Sequence, residues 1–173
     1  SAANILNNAF TAGATAGYDG LALCSTAHTT RAGGTYGNRP SVDVDLSEAA
    51  LEDMYVGLSG LIDDRGMKIP AKFRKLIIHP TLAPDAVRLL KSVSRVDTPN
   101  NDISFVNSTG LVSEGMLENV FLTDTDAWFL TTDIQDGLKL FMKRDISLSE
   151  DSDFDTDNAK FKATMRYSTG FTD

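Results

Sequence analysis

Cysteine and histidine are nearly missing from this chain: one cysteine and two histidines in 173 residues. A lone Cys24 excludes an internal disulfide, which fits a reducing interior or indifference to redox state. A metal site needs at least three protein ligands, and Cys24, His28 and His79 are all the thiol and imidazole there is. Positive charge is also short, with 16 Lys and Arg against 24 Asp and Glu, a net charge of −8 and a pI near 4.7. That balance argues against tight, salt-dependent binding of nucleic acid by the chain as a whole, though not face by face. No apolar run approaches the ~20 residues of a membrane span. The opening SAANILNNAF has neither an initiator Met nor a signal-peptide pattern, and reads as a fragment or a processed product.

What the chain does have is apolar content of 42%, no long low-complexity tract and enough length for one domain or two small lobes. Its most regular stretch is residues 137–171. Leu138, Leu140, Met142, Ile146 and Leu148 alternate with Lys139, Lys143, Asp145 and Ser147, with Phe141 among the latter. Ala159, Phe161, Ala163, Met165 and Tyr167 alternate with Lys160, Lys162, Thr164 and Arg166. Side chains of a strand point to opposite faces in turn, so both segments read as half-buried strands with one greasy and one basic face. The link SEDSDFDTDN is too polar for core, which makes an antiparallel ribbon joined by a solvated acidic loop.

Upstream, Ala2, Ile5, Leu6, Ala9 and Phe10 recur at helical spacing, residues 21–24 form a short apolar strand candidate, and the Gly-rich segment 25–40 reads as an exposed loop. Asp45 with Glu48 has the pattern of a capping box, with Ser47 as the alternative cap. Leu51, Met54, Tyr55, Leu58, Leu61 and Ile62 then mark an amphipathic helix that Gly66 is placed to stop. KLIIH, 75–79, is a strand cut off by Pro80, and a helix follows from Pro84 to Lys91. Residues 92–110 have no periodicity and read as a long loop; 118–122 and 127–131 read as strands. The sum is an α+β protein of two lobes. One is a compact unit, and in the other the N-terminal helix and strand lie on the C-terminal ribbon.

Each candidate for chemistry has a plainer counterpart. Cys24-Ser25-Thr26-Ala27-His28 offers a nucleophile with a base, or two metal ligands, but no orienting group or nucleophile elbow accompanies it, and a strand end entering a loop explains it better. Asp151, Asp153, Asp155 and Asp157 resemble the start of a calcium loop. Counting from either Asp151 or Asp153, the required Gly at the sixth place and Glu at the twelfth are missing. Asp63-Asp64-Arg65-Gly66 at a helix end reads as a turn rather than a carboxylate pair. No phosphate-loop pattern is present. The basic face Lys139, Lys143, Lys160, Lys162 and Arg166 lacks interleaved stacking aromatics beyond Phe141, which favours protein or solvent over nucleic acid.

The wording of the sequence then says more than its periodicity. LCSTAH, GGTYGNRP, DLSEAALED, DDRGMKI, RKLIIHP, EGMLENVFLTDTDAWFLTTD, DGLKLF and DFDTDNAKFKATMRYSTGF, in that order, resemble the major capsid (head) proteins of tailed bacteriophages, nearest to the Mu-type head subunits of prophages. Thr29 and His79 depart from that pattern, where Pro is usual. The resemblance implies a Hong Kong 97-like shell fold, truncated at both ends. Residues 42–132 would be an axial-type domain; residues 1–38 and 134–173 would be a peripheral-type domain, the end of a spine helix plus the long β ribbon. It implies no catalysis, cofactor or metal. The partners would be copies of itself, in hexamers and pentamers that enclose double-stranded DNA without reading it. The place would be the virion, after synthesis in a bacterial cytoplasm. The truncated chain itself would be a monomer or small oligomer. Asp151, Asp153 and Asp155 against Lys160, Lys162 and Arg166 of a neighbour are the suspected intersubunit contacts. A cellular nanocompartment shell of the same fold, and a small acidic hydrolase or metal-binding domain, are the competing readings.

Overall fold

The structure is a computed structural model that describes residues 2–11, 17, 19–30, 33–63, 66–95, 102–135, 137–153 and 158–171. In chain order, α1 (Ala2–Asn7) leads to two short strands, β1 (His28–Thr29) and β2 (Thr35–Tyr36). Next come α2 (Glu48–Ser59), β3 (Phe73–Ile78), α3 (Ala83–Lys91), α4 (Phe105–Thr109), β4 (Met116–Glu118) and β5 (Trp128–Thr132). Two long strands, β6 (Leu138–Asp153) and β7 (Asn158–Phe171), close the described chain. Helices and strands are mixed, as the α+β reading expects.

β3 is the centre of the body. It pairs parallel with β4 on one side and antiparallel with β5 on the other. Parallel neighbours need a crossover, and α3 and α4 lie along it. Leu76, Ile77 and Ile78 are consecutive and all buried, and such a continuous apolar run marks a strand covered on both faces. Leu76 and Ile78 pack with Ala86 of α3 and with Val112. Ile77 packs on the opposite face with Leu6, Ala9, Leu122 and Phe129. The buried side of α1 therefore lies on this sheet rather than on the ribbon, although α1 also meets β7.

α2 is capped by Ser47, whose hydroxyl accepts from the Ala50 N–H at 3.2 Å, so the alternative cap, not Asp45, starts the helix. Glu48 does not turn back to the cap. It is buried, and its carboxylate accepts from the Phe105 N–H at 3.1 Å, tying α2 to the first turn of α4. The helix ends at Ser59 instead of running to Gly66, because Gly57 and Gly60 weaken its last turn. Ile62 then pairs with Lys68 around a tight turn in which Gly66 has φ 81 and the Asp63 side chain accepts from the Met67 N–H at 2.8 Å. Asp63 is a turn residue, as expected, while Asp64 and Arg65 fall outside the described residues. Replacing Ser47 with Ala is expected to cost about 1 kcal/mol in urea denaturation, since one orphan N–H loses its partner; a change of a few tenths would mean the cap is idle.

Four other expectations are corrected. Residues 21–24 are not a strand, because the Cys24 N–H donates back to the Ala9 carbonyl at 2.8 Å and binds the segment to the end of α1. Segment 25–40 is not simply an exposed loop: β1 and β2 pair within it and His28 is buried. Segment 92–110 contains α4, capped by Ser104 and closed by Gly110 in the left-handed region at φ 59. The strand expected at 118–122 sits earlier, at Met116–Glu118. The Asn119 side chain, accepting from the Phe121 N–H at 3.0 Å, turns the chain there.

The ribbon is as long as its alternation promises. β6 and β7 pair antiparallel from Leu138↔Phe171 to Asp153↔Asn158. The 14 residues of β7 span about 46 Å at ~3.3 Å each. Ser149 to Asp153 belong to the paired strand, so most of the expected acidic loop is ribbon, and residues 154–157 fall outside the described ones. The expectation of half-burial fails. Leu140 is 62% exposed, Phe161 78% and Leu148 81%, because the helices and the central sheet bury their apolar faces in clusters of their own, and α1, which meets β7, leaves these side chains open.

Candidate functional site

Two places among the described residues hold the ingredients of chemistry. His28 is buried with Asp19, their side chains 2% and 1% exposed, and His28 Nδ1 lies 2.7 Å from Asp19 Oδ2. The other ring nitrogen is 3.3 Å from the Leu23 carbonyl, and the ring stacks on Tyr36 at 5.3 Å. Burial pushes the Asp19 carboxyl up, but N–H groups of Leu21 and Thr29, the His28 hydrogen bond and its charge outweigh that and hold it below its ordinary value. Both imidazole nitrogens are thus engaged in fastening the hairpin of β1 and β2. Cys24 is no nucleophile beside it: burial pushes its thiol up to about 11, against a weaker downward pull from Arg39, so it stays protonated at neutral pH. The plainer account, a strand end entering a loop, does not describe this segment either: residues 21–24 form no strand and His28 stands in β1. Asp19, which the sequence reading passed over, has no motif around it.

The second place is a depression of about 440 Å³ lined by Val87, Leu90, Val106 and Met116, with Lys91 the one ionisable group in its wall. No second ionisable side chain stands beside Lys91 in that lining to pair with it as acid, base or orienting group. Among the described residues no three His, Cys, Asp or Glu side chains gather as a metal site would need.

The ribbon is what stands out. Residues directly opposite on an antiparallel pair share a face. Leu138, Leu140, Met142 and Leu148 thus share one with Phe171, Tyr167, Ala163 and Phe161, while Arg144 and Asp151 share the other with Arg166 and Lys160. The greasy and basic faces are real; both are open to solvent. Of the suspected contact residues, Asp151 stands opposite Lys160 of its own chain, Lys162 opposite Ser149, and Asp153 opposite Asn158. Arg166 stands opposite Arg144, a residue the alternation alone did not single out. Asp155 falls outside the described residues. Apart from where α1 meets β7, the described residues leave most of this strand pair open to solvent.

A family model described as phage capsid protein matches residues 1–173. The chain belongs to the phage capsid protein family. No curated protein and no solved structure matches it. A phage capsid protein is structural: it associates with copies of itself into the shell of the virion. Its exposed ribbon is surface of the kind that such association uses. No helix among the described residues is long and apolar enough to cross a membrane.

Proposed function

We propose that this phage capsid protein is a major head subunit of the Hong Kong 97-like type, nearest to the Mu-type prophage branch. Its copies form hexamers and pentamers around double-stranded DNA after synthesis in the bacterial host cytoplasm. In this reading residues 42–132 are the axial-type domain, and 1–38 with 134–173 are the peripheral-type domain. The observation that carries it is the ribbon of about 46 Å whose apolar side chains Leu140, Leu148 and Phe161 are left largely exposed among the described residues. Closed shells are built from repeated interfaces, each of modest size and cooperative in number, so that misplaced subunits can leave and rebind. The apolar face of the ribbon supplies area to such an interface. Charged groups of the ribbon supply register, Asp151, Lys160, Lys162 and Arg166 with the suspected contacts Asp153 and Asp155 beside them in sequence, since exposed ion pairs contribute only about 0–1 kcal/mol each and steer more than they hold. The net charge of −8 suits a container, because a wall that gripped DNA tightly would oppose both packing and ejection. Electron microscopy of the full-length product tests the reading: icosahedral particles are expected, and a full-length product that forms none ends it.

A further inference from the structure

We propose that the Arg144–Arg166 rung of the ribbon is an anion-accepting contact, and that its occupant is the carboxylate-bearing end of a second copy's ribbon, around Glu150 and Asp151. The inference rests on the shell reading above and names the contact within it.

The first observation is the register. Arg144 lies directly opposite Arg166, two like charges facing across an antiparallel pair, an arrangement that destabilises a ribbon left to itself. Both irregularities of the ribbon bracket this rung: one lies between Met142 and Arg144, the other between Arg144 and Ser147. Beyond the second, Ser147 opposes Thr164 and Leu148 opposes Ala163. That register, carried two rungs below Ser147, would set Asp145 opposite Arg166 and neutralise it. The bulges instead pair arginine with arginine. Bulges re-aim side chains and recur next to functional sites.

The second observation is the missing partner. Both arginines are exposed, and among the described residues neither has an ion-pair partner. Guanidinium groups offer planar, paired donors that match carboxylate geometry, so two of them on one rung form a receptor for an acidic group.

The third observation identifies the occupant. Segments 137–148 and 158–171 hold six Lys and Arg against one carboxylate, while the rest of the chain holds the other 10 cations and 23 carboxylates. The ribbon is thus a basic shaft with an acidic end on an acidic protein. Asp151 is paired with Lys160, which lies six residues, about 20 Å, from Arg166 along an extended strand. The acidic end cannot fold back onto its own rung, so the carboxylates come from another copy in a head-over-shaft contact. Phosphate groups of nucleic acid fit the same donors, but the surrounding acidity disfavours a polyanion.

Sedimentation of four proteins tests this: the native chain, Arg144→Glu/Arg166→Glu, Glu150→Lys/Asp151→Lys, and Lys139→Glu as a control on the same shaft. The native chain and the control are expected to self-associate. Each double variant should associate roughly tenfold or more weakly, and an equimolar mixture of the two should recover association. Circular dichroism melting of each double variant should match the native chain, which separates lost contact from lost fold. If Arg144→Glu/Arg166→Glu associates as the native chain does, the rung is not the contact and the proposal fails while the shell reading stands. If that variant loses binding of labelled duplex DNA but keeps self-association, the rung reads phosphate and the proposal fails. A native chain that never associates overturns the proposal, while the shell reading is decided separately by electron microscopy of the full-length product.

Discussion

Replacing Leu148 and Phe161 together with Lys is expected to abolish association of this capsid protein while leaving its fold unchanged. Leu148 stands opposite Ala163, and Phe161 lies two residues from Ala163 on the same face, so the two side chains are neighbours on one apolar strip. They are 81% and 78% exposed in the single chain, and exposed positions of this kind usually change stability by no more than ~0.5 kcal/mol. Burying a Leu or Phe at an interface contributes about 1.5–3 kcal/mol each, so losing both removes ~3–6 kcal/mol per contact. At ~1.4 kcal/mol per decade that is roughly a hundredfold to ten-thousandfold in the association constant. Sedimentation and electron microscopy read association, and urea denaturation reads the fold. A double variant that assembles like the native chain would show that this face is not an interface. One that unfolds would show that the strip packs within the chain.

The reason this face was legible, and its exposure was not, lies in what alternation encodes. A period of two assigns Leu148 and Phe161 to one side and Lys162 to the other whatever lies above them; it does not say whether the cover belongs to the same chain. β3 was legible for the complementary reason. Leu76, Ile77 and Ile78 admit no polar face, so both sides had to be covered, and they are. α4 escaped notice because five residues are too few for periodicity. Such a short helix forms only through its caps and packing, here Ser104, the left-handed Gly110 and a carboxylate from Glu48, 57 positions away from the Phe105 it bonds. The Arg144 rung was hidden by the two bulges, since a register slip leaves no mark in composition or spacing. Asp19 was hidden because its partner is chosen by the tertiary path of the chain, not by a neighbouring motif.

That same Asp19 is the site of the largest expected loss of stability. Its carboxylate is 1% exposed against His28 at 2.7 Å, and it also accepts from the Leu21 N–H at 2.9 Å. Asp19→Ala would leave a buried imidazole and a backbone donor without their acceptor, and removing one partner of a buried pair costs about 3–5 kcal/mol. Against a total of ~5–15 kcal/mol for a domain, the melting temperature should fall far enough to threaten folding at physiological temperature. The acid side should report the same pair. Burial raises the Asp19 carboxyl, but the hydrogen bonds and the charge of His28 win, and its folded pKa lies below the unfolded value of about 3.9. A depressed carboxylate contributes fully above the unfolded value and loses that contribution as pH falls toward the folded one. Native protein is therefore expected to lose stability below about pH 4, and Asp19→Asn, with no carboxyl to protonate there, should show a shallower acid limb. Urea denaturation across that range measures both slopes. Equal slopes, or a loss under ~1 kcal/mol for Asp19→Ala at neutral pH, would mean that the hairpin of β1 and β2 is held by packing alone.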